Sequence, residues 1–210
     1  MNLFVDKEWL LKNLHDRVRV VDCSFSLADP TKGRQEYDKN HIPGAIYFDL
    51  EKDLSGDVGE HGGRHPLPNF EEFINKLEKA GIDSTTMVIA YDQGEGAFAA
   101  RFWWLLQYLG HEKVFVLDGG LRGWSEGNYP LTSEVLVLKK ATFKPNINHD
   151  LLANMEEVKA VSGGQVSNTI LVDSREEKRY LGLEEPIDKK AGRIPGANNK
   201  PWFERLNAGY

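Results

Sequence analysis

Two landmarks occur twice in this chain, in the same order, and no other feature limits its possible folds as much. Val20-Val21-Asp22 is followed by His41-Ile42-Pro43-Gly44-Ala45, and Leu171-Val172-Asp173 is followed by Arg193-Ile194-Pro195-Gly196-Ala197. Chance could supply either match alone, but the ordered pair at nearly equal separation indicates an internal duplication. The spacing slips by one residue in the second copy, where the charged stretch Glu184 to Lys190 reads as an insertion. The first copy continues for about eighty residues past Ala45, to Trp124, whereas thirteen residues follow Ala197. Repeat arithmetic therefore leaves the second copy incomplete, without counterparts of the segments at Met87, Asp92 and Val114. Residues from about Glu176 onward are expected to pack poorly, to swap into a neighbouring copy, or to be completed by further chain, because a lone strand and helix bury too little surface to offset their ordering entropy.

Within the first copy, Val18 to Asp22 is a β-branched run closed by a carboxylate, which predicts a buried strand opening into a loop. Ala45 to Phe48 reads as a second, short strand. Asn69 is a helix N-cap followed by Phe70, Phe73, Ile74 and Leu77 at helical spacing, with Gly81 as the stop. Met87 to Tyr91 is another apolar strand. It leads through Asp92-Gln93-Gly94-Glu95-Gly96 into a helix from about Ala97 to Leu109 that is apolar on most sides. Val114 to Leu117 is a further strand, turned by Asp118-Gly119-Gly120. Strands alternating with helices predict an α/β fold with a parallel sheet flanked by helices, whose ligand sites lie beyond the carboxyl ends of the strands. Between residues 128 and 150 the periodicity lapses around Pro130 and Pro145. The expected organisation is one domain at 1–127, a linker at 128–150, and the start of a second domain at 151–210.

The net charge of −6 provides no basic stripe, so nucleic-acid partners lack electrostatic support, although local arginines could hold small anions. No run has the length of a membrane span, and Asp6, Lys7 and Glu8 interrupt any secretory apolar stretch. The single cysteine, Cys23, excludes an intrachain disulfide framework and a thiolate metal site, and it fits a reducing, cytoplasmic setting. Cys23 follows a buried strand with no basic residue nearer than Arg19, which marks it as an inert structural thiol. His61 and His65 are four apart, a spacing that suits metal only on a helix. Gly62, Gly63 and Pro66 argue for a loop instead, and no metal or cofactor is expected. Asp92 lacks the second aspartate that an aspartyl phosphotransfer site would have two residues on, where Gly94 stands. With Asp92 and Glu95 flanking them, Gly94 and Gly96 are expected to form a tight turn rather than a phosphate cradle.

The repeat, the Ile-Pro-Gly-Ala turn after a strand-end Asp, the strand-loop-helix from Tyr91 to Trp104, and Leu117-Asp118-Gly119-Gly120 followed by Trp124 together resemble the two-domain rhodaneses. The resemblance spans nearly the whole chain. It implies a sulfurtransferase that takes sulfane sulfur from thiosulfate or 3-mercaptopyruvate, holds it as a cysteine persulfide, and passes it to a thiophilic acceptor. In that family the C-terminal domain normally carries the cysteine, at a strand end where amide N–H groups and a helix dipole lower its pKa. Asp92 stands at the corresponding place in the first copy and cannot form a persulfide. The resemblance therefore implies no catalytic residue in this chain and a nucleophile expected beyond Tyr210. It implies that Arg179 binds the donor's anionic oxygens, that Arg175 is structural, and that Arg193, in place of the more usual histidine found at His41, has no functional weight. The reading of another class is a non-catalytic rhodanese-like binding or regulatory module.

Overall fold

A computed structural model describes residues 3–14 and 17–206; the expected outer domain limits, Met1 and Tyr210, lie outside these. The chain divides into two compact units with the boundary between His149 and Asp150.

The first unit runs β1 (Phe4–Val5), α1 (Lys7–Lys12), β2 (Val18–Asp22), α2 (Lys32–Lys39), β3 (Ala45–Tyr47), α3 (Phe70–Lys79), β4 (Met87–Tyr91), α4 (Ala97–Tyr108), β5 (Val114–Leu117) and α5 (Gly120–Glu126). Its five strands form one sheet in the order β1-β5-β4-β2-β3, and every pair is parallel. Successive side chains of a strand point to opposite faces, so each apolar strand feeds two cores. Val21, Val88, Ala90 and Val116 pack with Phe73 and Leu77 of α3 and Phe102, Leu105 and Leu106 of α4. Val20, Ile89 and Leu117 pack with Leu10 of α1, Tyr37 of α2 and Leu121 and Trp124 of α5. A sheet covered on both faces accounts for strands that read as unbroken apolar runs. Asn69 caps α3 by accepting from the amides of Glu71 and Glu72 at 2.9 and 3.3 Å, and the helix ends before Gly81, whose φ is +66°. Phe102, fully buried at the junction of sheet and helices, is a position where truncation to alanine costs about 3–5 kcal/mol.

The stretch expected as a linker lies along this first unit. Thr132 forms an antiparallel bridge with His41, the Ala141 amide bonds the Glu78 carbonyl, and the Asn146 and Asn148 amides bond the carbonyls of Leu109 and Tyr108. Proline and polar composition hid these attachments, because they are made by the backbone.

The second unit contains α6 (Met155–Ser162), β6 (Val172–Asp173), α7 (Glu177–Leu181), β7 (Asn198–Asn199) and α8 (Phe203–Leu206). Its sheet is the single parallel pair β6-β7. Among its described residues only Ala197 and Pro201 are buried, while Ile170 and Leu183 are each 72% exposed.

The pairing repeats the first unit's register. Asp22 stands opposite Tyr47, two residues past Ala45, and Asp173 opposite Asn199, two past Ala197. Tyr37 donates its hydroxyl to the Ala45 carbonyl and Tyr180 to the Ala197 carbonyl, each at 2.8 Å. These tyrosines correct the view of Glu184 to Lys190 as a one-residue slip. Fifteen positions separate Asp22 from Tyr37 but only seven separate Asp173 from Tyr180, while eight separate Tyr37 from Ala45 and seventeen separate Tyr180 from Ala197. The intervening chain has moved from before the helix to after it. The Ile-Pro-Gly-Ala turns themselves match, with Gly44 and Gly196 at φ +81° and +79°, a region that glycine alone enters without strain.

Candidate functional site

Asp92 lies at the carboxyl end of β4, 2% exposed, with the amino end of α4 directed at it. Its Oδ1 accepts from the amides of Gly94 and Gly96, both at 2.9 Å. Its Oδ2 accepts from Phe98 at 3.0 Å and Ala99 at 3.3 Å. The loop is thus an anion cradle, contrary to the expectation of a mere tight turn, and the chain's own carboxylate fills it. Backbone donors at a helix amino end supply the positive potential that offsets burial of this charge. The cradle is braced from α5: Leu121 N–H bonds the Asp92 carbonyl at 2.8 Å, and a Cβ on Gly120 would stand 2.5 Å from that same oxygen. Only glycine fits there.

A cavity of about 400 Å³ opens over the loop, with Phe25, Lys32, Glu36, Asp92, Glu95 and Phe98 in its wall. Glu36 directly precedes Tyr37, just as Arg179 directly precedes Tyr180. Because both tyrosines make the same bond to the same turn, Glu36 and Arg179 occupy equivalent places in the two units. Sequence spacing concealed this equivalence, since the helices sit at different distances from their strands.

Cys23 is fully buried, in the same core cluster as Phe48 and Leu77. Its N–H bonds the Tyr91 carbonyl at 2.7 Å. Burial pushes its thiol well above the usual range, and the charges of Asp22 and Asp92 push it further, which is the reverse of what a nucleophile needs. His61 to Arg64 lie in an irregular loop in which Gly62 and Gly63 have φ +97° and +73°, so no helix sets the two histidines on one face.

In the second unit Arg175 clasps Asp173 through Nε at 3.0 Å and Nη2 at 2.6 Å, and donates to the Gly192 carbonyl at 2.6 Å. Arg175 in turn holds Asp173 below the usual carboxylate range. Arg179 extends from α7 into an acidic clasp. Its Nε and Nη2 meet Glu185 at 3.0 and 3.1 Å, and Nη2 also meets Asp188 at 2.6 Å. Neither acidic partner was legible beforehand, because both lie in the displaced, aperiodic stretch. The exchange of His41 for Arg193 has a plain structural account: His41 stacks on Tyr37 at 4.0 Å with Nδ1 2.7 Å from its carbonyl. Arg193 lies over Tyr180 at 4.2 Å and donates to that residue's carbonyl at 3.2 Å.

Comparison with known proteins agrees with this architecture. The rhodanese-like domain family matches residues 6–127. A probable 3-mercaptopyruvate sulfurtransferase of Pseudomonas aeruginosa is 41% identical over 191 residues, covering 90% of this chain and 66% of that protein. The thiosulfate sulfurtransferase of Rattus norvegicus is 34% identical over 214 residues, covering 96% of this chain and 70% of that protein. Among solved structures, a 3-mercaptopyruvate sulfotransferase of Escherichia coli with the rhodanese fold superposes with a TM-score of 0.84 at 30% identity, over 97% of this chain and 76% of that one. The chain spans about two thirds of the length of the curated relatives it matches. Parallel sheet, strand-end loop, repeated turn and these similarities agree: the chain belongs to the rhodanese family.

Proposed function

We propose that this chain is the non-catalytic domain and the donor-binding beginning of a second domain of a sulfurtransferase that moves sulfane sulfur from 3-mercaptopyruvate or thiosulfate to a thiophilic acceptor. The names of its relatives support the donor class. The observation that carries the assignment of Arg179 is its equivalence with Glu36. In the first unit that place lines the cavity above the strand-end loop, so in the second it faces wherever the corresponding loop stands. The first unit presents a carboxylate, Glu36, at that place in its cavity wall, which disfavours an anion there. Arginine at the same place reverses the sign, and its planar fork suits a sulfonate or carboxylate.

The chemistry attributed to the family is a displacement at sulfur. A cysteine thiolate attacks the outer sulfur of thiosulfate, the S–S bond breaks and sulfite leaves with the bonding pair. With 3-mercaptopyruvate the C–S bond breaks instead, and pyruvate forms once the carbon takes up a proton. Cyanide then takes the outer sulfur of the persulfide as thiocyanate, returning the thiolate. Neither Asp92 nor Cys23 can serve as that thiolate, so residues 1–210 by themselves are expected to be inactive. Thiocyanate production from thiosulfate and cyanide by the polypeptide Met1–Tyr210 should stay at background. Turnover abolished by Cys23→Ser would refute the assignment. In the protein read from the whole reading frame, Arg179→Ala should reduce kcat/KM by about a hundredfold, the loss expected of a charge-assisted bidentate contact. An unchanged value would remove Arg179 from the site. The filled cradle at Asp92 also supports a second reading, a non-catalytic module, which a reading frame without a downstream strand-Cys-loop-helix would favour.

A further inference from the structure

The acidic clasp on Arg179 is unequal in its two halves. Glu185 is 5% exposed at its side chain and is fixed from several sides, accepting also from the amides of Ile187 at 3.2 Å and Asp188 at 3.0 Å. Arg175 Nη1 approaches it at 3.5 Å. Asp188 is 37% exposed and belongs to the stretch displaced to the far side of α7. Glu185 takes the Nε–Nη2 edge of the guanidinium. Nη2 has two hydrogens, and its second one, on the edge shared with Nη1, goes to Asp188. The cluster pairs two arginines, Arg175 and Arg179, with three carboxylates, Asp173, Glu185 and Asp188. Asp188 is the most solvated of the three.

We propose that the Asp188 carboxylate is an internal competitor for the anionic sulfur donor, occupying the Nη1–Nη2 edge of Arg179 until a sulfonate or carboxylate displaces it, so that residue 188 sets how tightly anionic donors are held. The inference rests on the reading of Arg179 as the donor's anchor. Exchange at that edge replaces one charge-assisted oxygen contact with another, so the donor gains only the difference between them. Glu185 stays in place throughout and keeps the guanidinium oriented. Asp188 is therefore a positioning residue that touches no reacting atom.

The test follows the Arg179 Nε–H signal in nitrogen-15 spectra of the whole 210-residue chain. The signal is assigned with Arg179→Lys and titrated with sodium thiosulfate at ionic strength held constant with sodium chloride. Thiosulfate should move it with a midpoint about fivefold lower in Asp188→Asn than in the wild type, the size of one partly exposed ion pair. Asp188→Ser should behave alike, which guards against a fault peculiar to asparagine. Glu184→Gln, which removes an equal charge from the neighbouring pair with Lys178, should leave the midpoint unchanged. Equal midpoints in wild type and both Asp188 variants would overturn the proposal while leaving Arg179 as the anchor, as would equal tightening by Glu184→Gln. An Arg179 signal that thiosulfate moves in none of these proteins would overturn both readings.

Discussion

Asp92 accepts from four amides while nearly excluded from solvent, so its role in the first unit can be measured as stability. Replacing it with alanine leaves those donors facing a void that water fills only in part. A buried donor without a partner costs about 1–3 kcal/mol, and with partial hydration a net loss of about 3 kcal/mol is expected for Asp92→Ala. Urea unfolding at neutral pH measures it, and a loss below about 0.5 kcal/mol, the range of surface substitutions, would mean that the cradle holds together without its anion. The strand-end aspartate was legible in the sequence, but its electrostatics were not. Reading Asp92 as a charge that repels anions overlooks that four N–H groups surround it. Backbone donors have no letter in a sequence, so the cradle became visible only when the loop's dihedrals placed Gly94, Gly96 and the first turn of α4 around one carboxylate.

At the scale of elements, those with an apolar period or run were legible: β2, β4 and β5 fall where Val18 to Asp22, Met87 to Tyr91 and Val114 to Leu117 indicated, and α3 begins after its Asn69 cap. α2 was not, because Lys32–Lys39 has one apolar side chain, Tyr37, and so no stripe. Nor was α5, which starts on Gly119-Gly120, read from sequence as a turn. The attachment of residues 141–148 was hidden as well, and it includes a titratable group. His111, in the turn after α4, is fully buried. Its ring stacks on Phe143 at 5.9 Å, and Nδ1 accepts from the Lys113 amide at 3.2 Å. Burial holds its pKa below the usual 6.5, with Lys113 acting in the same direction and Asp83 opposing. The unfolded chain then takes up this proton at higher pH than the folded one. The contribution of neutral His111 is therefore complete above about pH 6.5 and is lost as pH falls through and below that value. Between pH 7 and pH 5 the urea midpoint of the wild type should fall more than that of His111→Gln, and the Asn146 and Asn148 amides should lose protection from exchange. Parallel declines in the two proteins would assign the acid sensitivity to other groups.

For the molecule as a whole, the duplicated landmarks announced two copies of one topology, and the register of β6 on β7 repeats that of β3 on β2. What the two units do with that topology differs by burial. In the first, β2 has a strand on each side and a helical layer on each face. In the second, two strands of two residues each are joined by the bonds from Asn198 to Leu171 and from Lys200 to Asp173. Ile170 and Leu183 remain mostly exposed and Val172 is half exposed. A two-stranded sheet is marginal in water without a covered face, and local opening free energies follow buried contact. In hydrogen exchange the amides of Asn198 and Lys200 should therefore exchange at least about a thousandfold faster than those of Ile89 and Ala90, a gap of roughly 4 kcal/mol in opening free energy. Comparable protection in the two units would show that β6 and β7 are held by something other than the short ladder and the Asp173–Arg175 clasp. In that event a stable half-sheet would have to derive its rigidity from the network of Arg175, Arg179 and Glu185. Glu185→Gln should then release Asn198 and Lys200 selectively, leaving Ile89 and Ala90 unchanged.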